Sequence, residues 1–163
     1  MLGQDIQSPP IIQQQVQQVQ QTQPRKAAQE IPLINDTTKN MFLSVENSRT
    51  PTTNFLALEK STFEDLKNRN KIKQDMRWQE LQNPETYDLV AEAYVQDLMQ
   101  TFKIPTIEEA ALWSYRPGYY AKYDGDIEKI PDEKKGSFGK SAKEVMRQRK
   151  KWLDMYLESL KEQ

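Results

Sequence analysis

The chain has neither cysteine nor histidine in its 163 residues. Without cysteine there is no disulfide, no thiol nucleophile and no cysteine-ligated zinc site. Without histidine there is no Ser–His triad, no imidazole base and no histidine-ligated metal. Any proton transfer therefore falls to Asp, Glu, Lys or Tyr. Among hydrolytic chemistries, glycoside cleavage is the one most at home with carboxylates alone, and it needs no metal or cofactor. No apolar run of about 18 residues or more occurs, which excludes a membrane-spanning helix. A net charge of -1 with no long basic run gives no footprint for nucleic acid. The opening MLGQDIQSPP has neither a basic start nor an apolar stretch, so no secretory signal is expected.

What is present divides in two. Residues 1–35 form a Gln-rich, low-complexity tail, "IIQQQVQQVQQTQPRKAAQ", fenced by Pro9, Pro10 and Pro24. Such a segment buries too little apolar surface to offset its ordering entropy and is expected to be irregular. Ile12, Val16 and Val19 do fall at helical spacing, so an alternative is a short helix that anchors the chain to an assembly. Residues 36–163 have no period-2 segment and no internal repeat. With 36% hydrophobic residues overall, the chain supports one modest core, and an all-α domain is expected.

The helices announce themselves by their caps. Asp36, Thr37 or Thr38 is the expected N-cap of a helix through Met41, Phe42 and Val45, with Glu46 at its C-terminal end and Pro51 beyond. A second helix is expected over Ser61 to Arg69, with Phe63 and Leu66 inward. Asn83-Pro84-Glu85 has N-cap, first-position proline and dipole-matched acid in order. After it, Leu89, Val90, Ala93, Tyr94, Asp97, Leu98 and Phe102 form an expected inward stripe. Thr106 and Glu109 read as a capping box for a fourth helix through Trp113. Pro117 and Gly118 then open an aromatic-rich loop. The last helix places Val145, Met146, Arg149, Trp152, Leu153, Tyr156 and Leu160 on one face.

In this order the motifs resemble the catalytic domain of lytic transglycosylases, the lysozyme-like enzymes related to goose-type lysozyme. Val45-Glu46-Asn47-Ser48 stands where the family has a Glu-Ser motif at a helix end. Thr53 to Leu66 stands in place of a Gly-Leu-Met-Gln segment, with Ala57 near the usual Gln. Asn83-Pro84-Glu85 with Tyr94-Val95 matches the long helix, and Glu108 to Gly118 matches a helix ending in Tyr-Asn-Ala-Gly, here Tyr115-Arg116-Pro117-Gly118. Tyr123, Gly125, Ile130 and Pro131 match the closing loop. The likeness implies a lysozyme-like fold over residues 36–163.

The resemblance also implies a chemistry. Glu46 is the acid/base that cleaves the bond between N-acetylmuramic acid and N-acetylglucosamine, and its apolar helix neighbours are expected to desolvate it. Tyr115 reaches Glu46 or the substrate N-acetyl group. Asn47, Ser48, Asn54, Glu59, Arg116, Tyr119, Tyr120 and Tyr123 are the expected saccharide-binding residues, Glu59 also being the best-placed second carboxylate. The implied partner is the peptidoglycan glycan strand, and residues 1–35 would join other virion or tail proteins of a bacteriophage that opens the host cell wall. The alternative is a catalytically degenerate lysozyme-like scaffold of a virion. A helical regulatory domain would explain the helices alone. The same residues also have plainer readings: Glu46 as a surface charge, Tyr115 as a core aromatic, Tyr119, Tyr120 and Tyr123 as staples of the loop, Trp113 and Trp152 as core, and Arg147 to Lys151 as a solvated face.

Overall fold

The structure, a computed structural model, describes residues 34–48, 53–132 and 139–162. The expectations for the Gln-rich tail lie outside the described residues, apart from Ile34 and Asn35. All described residues belong to one compact unit. It is all-α: six α-helices and two short 3-10 turns, with no strand among the described residues.

Helix α1 spans Asp36–Val45, and its N-cap is Asn35, whose side chain accepts the Thr38 N–H at 2.9 Å. Asn35 takes the place expected of the next three residues because its extended backbone aims the amide oxygen into the first turn. Thr38 is freed to turn inward and is buried. Helix α2, Lys60–Asn68, buries Phe63 and Leu66 as its spacing requires. A 3-10 turn at Trp78–Gln82, which no sequence signal announced, then leads into α3, Pro84–Phe102.

Asn83 caps α3 as expected, accepting the Glu85 N–H at 2.8 Å. Asn83→Ala is expected to cost about 1 kcal/mol in urea unfolding. The inward face of α3, however, is Tyr87, Val90, Ala91, Val95 and Leu98. Leu89 is 66% exposed, a correction to the expected stripe. The helix carries apolar residues on more than one side, and it packs against the 3-10 turn.

Asp97, the charge in that stripe, is taken by the α2 C-cap. Arg69 binds it with both Nη atoms, at 2.9 and 2.7 Å, while Arg69 Nε reaches Asp65 at 2.9 Å. The Arg69 hydrogen bonds hold the Asp97 carboxyl below the usual aspartate range. A carboxyl lowered by folding contributes stability above its unfolded range and loses it as pH falls through the folded one. Urea unfolding should therefore become easier on acidification, and Asp97→Asn should flatten that slope. The step is small, about 1 kcal/mol or less, because Arg69 is 40% exposed.

Helix α4, Ile107–Trp113, starts at Thr106, which accepts the Glu109 N–H at 3.1 Å. The reciprocal half of the expected box is absent. Glu109 instead accepts from the Thr106 hydroxyl and, at 3.1 Å, from the Tyr120 hydroxyl. The aromatic segment is not simply a loop, since Gly118–Lys122 forms a short helix, α5. Proline at its N-cap and glycine at its first position admit a new turn as readily as they end the old one. Helix α6, Ala142–Leu160, opens with a full Ser141–Glu144 capping box and packs on α1, α4 and the second 3-10 turn, Ile127–Lys129. Trp113, Phe63, Leu66, Ile104, Ile130 and Met146 are the largest fully buried side chains.

Candidate functional site

Glu46 sits where the sequence places it, as the C-cap of α1. The next two residues explain its position. Asn47 adopts φ +56°, a left-handed conformation that asparagine tolerates well. Its N–H donates to the Ser44 carbonyl at 2.8 Å, and the Ser48 N–H donates to the Leu43 carbonyl at 2.9 Å. This paired closure satisfies the last carbonyls of α1 and turns the chain sharply away. Asn47 and Ser48, expected at the saccharide, thus terminate the helix and present Glu46 at its tip.

Glu46 faces a cavity of about 450 Å³. Tyr115 lines the same cavity from beyond the end of α4, and Gln148, Arg149 and Trp152 line it from α6. Val45, Val145 and Lys140 complete the wall. The expectation that apolar neighbours desolvate Glu46 is corrected here: its side chain is 59% exposed. Met41, Phe42 and Val45 point into the core, and the C-cap residue after them turns out to solvent.

The buried charge is Arg149, with a side chain only 4% exposed. Its Nη1 donates to the Glu46 carboxylate. Its Nε donates to the Leu112 carbonyl at 3.0 Å, and Nη2 to the Ala111 carbonyl at 2.8 Å and the Ser114 hydroxyl at 3.0 Å. Those carbonyls belong to the last turn of α4, where a helix has unsatisfied acceptors and a negative dipole end. Arg149 thereby caps α4 from α6 and answers Glu46 at the end of α1. Burial pulls its guanidinium down from the ordinary arginine range, and the Glu46 carboxylate acts in the opposite sense. Arginine nonetheless stays charged.

Tyr115 lies within cation–π reach of two guanidinium groups, Arg149 at 5.7 Å and Arg116 at 5.5 Å. Arg116 also covers Tyr119, at 5.4 Å. Tyr119 and the buried Tyr123 meet edge to face at 5.0 Å, and Tyr120 meets Trp113 at 5.7 Å. Gly125, at φ +67°, lies under the Tyr120 ring, where a Cβ would come within 3.1 Å. These three tyrosines staple the segment after α4 to the core, and none lines the Glu46 cavity.

Asn54 and Glu59 stand apart from that cavity too. Asn54 Oδ1 accepts the Leu58 N–H at 2.9 Å and the Tyr87 hydroxyl, and it borders a separate cavity. Glu59 is the exposed N-cap of α2, without a side-chain cap bond. Between them Ala57 takes φ +52°, an uncommon conformation for a residue with a Cβ. Sequence reasoning assigned only Glu46 and Tyr115 of the cavity residues to the site, and missed Arg149, Gln148, Trp152 and Lys140. For Arg149 a signal existed, a charge at the inward spacing of Met146 and Leu153. Glu92 on α3 lies outside the Glu46 cavity, and burial raises its carboxyl above the usual glutamate range. Among the described residues no cluster of acidic side chains suits a metal ion, and no helix is long and apolar enough to cross a membrane. The chain matches no protein-family model, no curated protein and no solved structure.

Proposed function

We propose that the chain carries a lysozyme-like domain whose Glu46 cavity binds a peptidoglycan glycan strand and cleaves it by transglycosylase chemistry. One observation carries this reading. Glu46 and Tyr115, paired as catalytic residues by motif order alone, meet in one open cavity far apart in sequence. Trp152 and Gln148 add what a sugar needs there, a flat apolar surface and an amide able to donate and accept.

In the reaction, protonated Glu46 gives its proton to the glycosidic oxygen as the C1–O bond breaks. The substrate's own N-acetyl oxygen stabilises the cation at C1, so no carboxylate nucleophile is required. The Glu46 carboxylate then takes the proton of the muramic C6 hydroxyl, and O6 closes on C1 to give a 1,6-anhydro end. Arg149 stabilises the carboxylate that exists between the two transfers. The Gln-rich residues 1–35 would hold the domain in a phage virion, delivering it to the host cell wall.

The second reading, a degenerate scaffold docked through the same tail, is favoured by the Glu46–Arg149 bond. Protonating Glu46 removes the carboxylate that answers a buried guanidinium, so the pair has a structural use without catalysis. Digestion of purified peptidoglycan by the full chain, with soluble products read by mass spectrometry, separates the readings. Anhydro ends are expected. Reducing ends would change the reaction to hydrolysis, and no release by the folded chain would leave the scaffold.

A further inference from the structure

A second cavity, of about 330 Å³, lies between residues 53–54, the 3-10 turn Trp78–Gln82 and the first turn of α3. Among the described residues it shares no lining residue with the Glu46 cavity. Its chemistry differs as well. Among the described residues no charged side chain lines it; the polar groups there are the amides of Asn54, Gln79 and Gln82 and the hydroxyls of Thr53 and Tyr87. Trp78 supplies a half-buried ring.

Two exclusions follow from that lining. A charged ligand would lose its hydration and gain no counter-charge. A purely apolar ligand would cover the exposed Gln79 and Gln82 amides and take them out of water without a partner in return. What remains is a neutral molecule rich in donors and acceptors that also has a flat apolar face, which describes a pyranose ring. The Gln79 and Gln82 amides each offer both a donor and an acceptor, matching sugar hydroxyls, which do the same.

The wall is also preorganised. Tyr87 is 3% exposed, its ring held edge-on by Phe55 at 5.2 Å, and burial pushes its hydroxyl up to about 12, so it stays a donor at neutral pH. It donates to Asn54 Oδ1, which the Leu58 N–H also binds. Trp78 is fixed by Phe63 at 5.5 Å. Side chains already immobilised lose little entropy on binding. We propose that this cavity is a binding site for a neutral oligosaccharide, separate from the Glu46 cavity and able to hold a glycan whether or not Glu46 cleaves it.

The test is a titration of the ¹⁵N-labelled full chain with chitotetraose and, in parallel, cellotetraose, following the Trp78 indole and the Gln79 and Gln82 amide resonances. At least one sugar should shift all three; a shift with chitotetraose alone would add that the site reads the acetamide. Gln79 and Gln82 are exposed, so the double variant Gln79→Ala/Gln82→Ala should fold normally and bind about fivefold more weakly or worse. Glu46→Gln should leave these shifts unchanged. No shift at Trp78 with either sugar would overturn the proposal, as would shifts of undiminished affinity in the double variant. A response to blocked tetraglycine with none to sugar would make the site a peptide site instead.

Discussion

Arg149→Ala is expected to lower the unfolding free energy by about 3–4 kcal/mol, among the largest effects of any single substitution in this chain. The side chain is nearly fully buried and makes four hydrogen bonds. Removing it takes the guanidinium donor from two carbonyls at the end of α4 and opens a cavity between α4 and α6. The charge of Glu46 contributes little to the loss, because that carboxylate is mostly exposed and can return to water. The melting temperature should fall by roughly 10 °C. Arg149→Met separates the two parts of the effect: it restores most of the packing and none of the donors, so it should recover less than half of the loss. Guanidinium unfolding of the three proteins measures this. A loss below about 1 kcal/mol in Arg149→Ala would mean that the guanidinium does not hold the end of α4.

Glu46→Gln should behave in the opposite way, with little change in stability and a large change in activity. Glutamine keeps the size of the side chain and an oxygen able to accept from Arg149, so stability should move by less than about 1 kcal/mol. It cannot give up or take a proton, and loss of a general acid–base group of this kind costs about 10²–10⁴-fold in rate. The contrast between the two positions separates structure from chemistry. Arg149 is the helix cap that holds the site together; Glu46 is the group that would act in it. If Glu46→Gln lost stability on the scale of Arg149→Ala, the carboxylate would be a structural counter-ion and the scaffold reading would gain.

Much of this arrangement was legible in the sequence where the cause is local. Asn83-Pro84-Glu85 begins α3 because capping chemistry acts within one turn; α1 ends at Glu46 as read, though the stop is the left-handed Asn47 rather than the more distant Pro51. The sequence reading failed where the outcome depends on packing. Leu89 fits the α3 periodicity as well as Val90 does, and only the packing of neighbouring elements on α3 decides between them. Asp97 in the same stripe is explained by Arg69, a partner on another helix. The burial expected of Glu46 followed from its apolar neighbours, but those side chains point inward and the C-cap turns out. Arg149 is the instructive case. Within the basic run Arg147 to Lys151, the residues around it keep to solvent or to the rim, while Arg149 alone has the inward register of Met146 and Leu153. Its partners, the carbonyls of α4 and the tip of α1, are brought to it by the fold.

The central claim is that Glu46 does chemistry on a glycan. Its most direct test is the initial rate at which wild-type and Glu46→Gln chains release soluble fragments from the same purified peptidoglycan, with both melting curves in hand. The account predicts 1,6-anhydro fragments from the wild type and a rate lower by at least about 100-fold in the variant, at unchanged melting temperature. Equal rates from the two folded proteins, or no release from either, would contradict it.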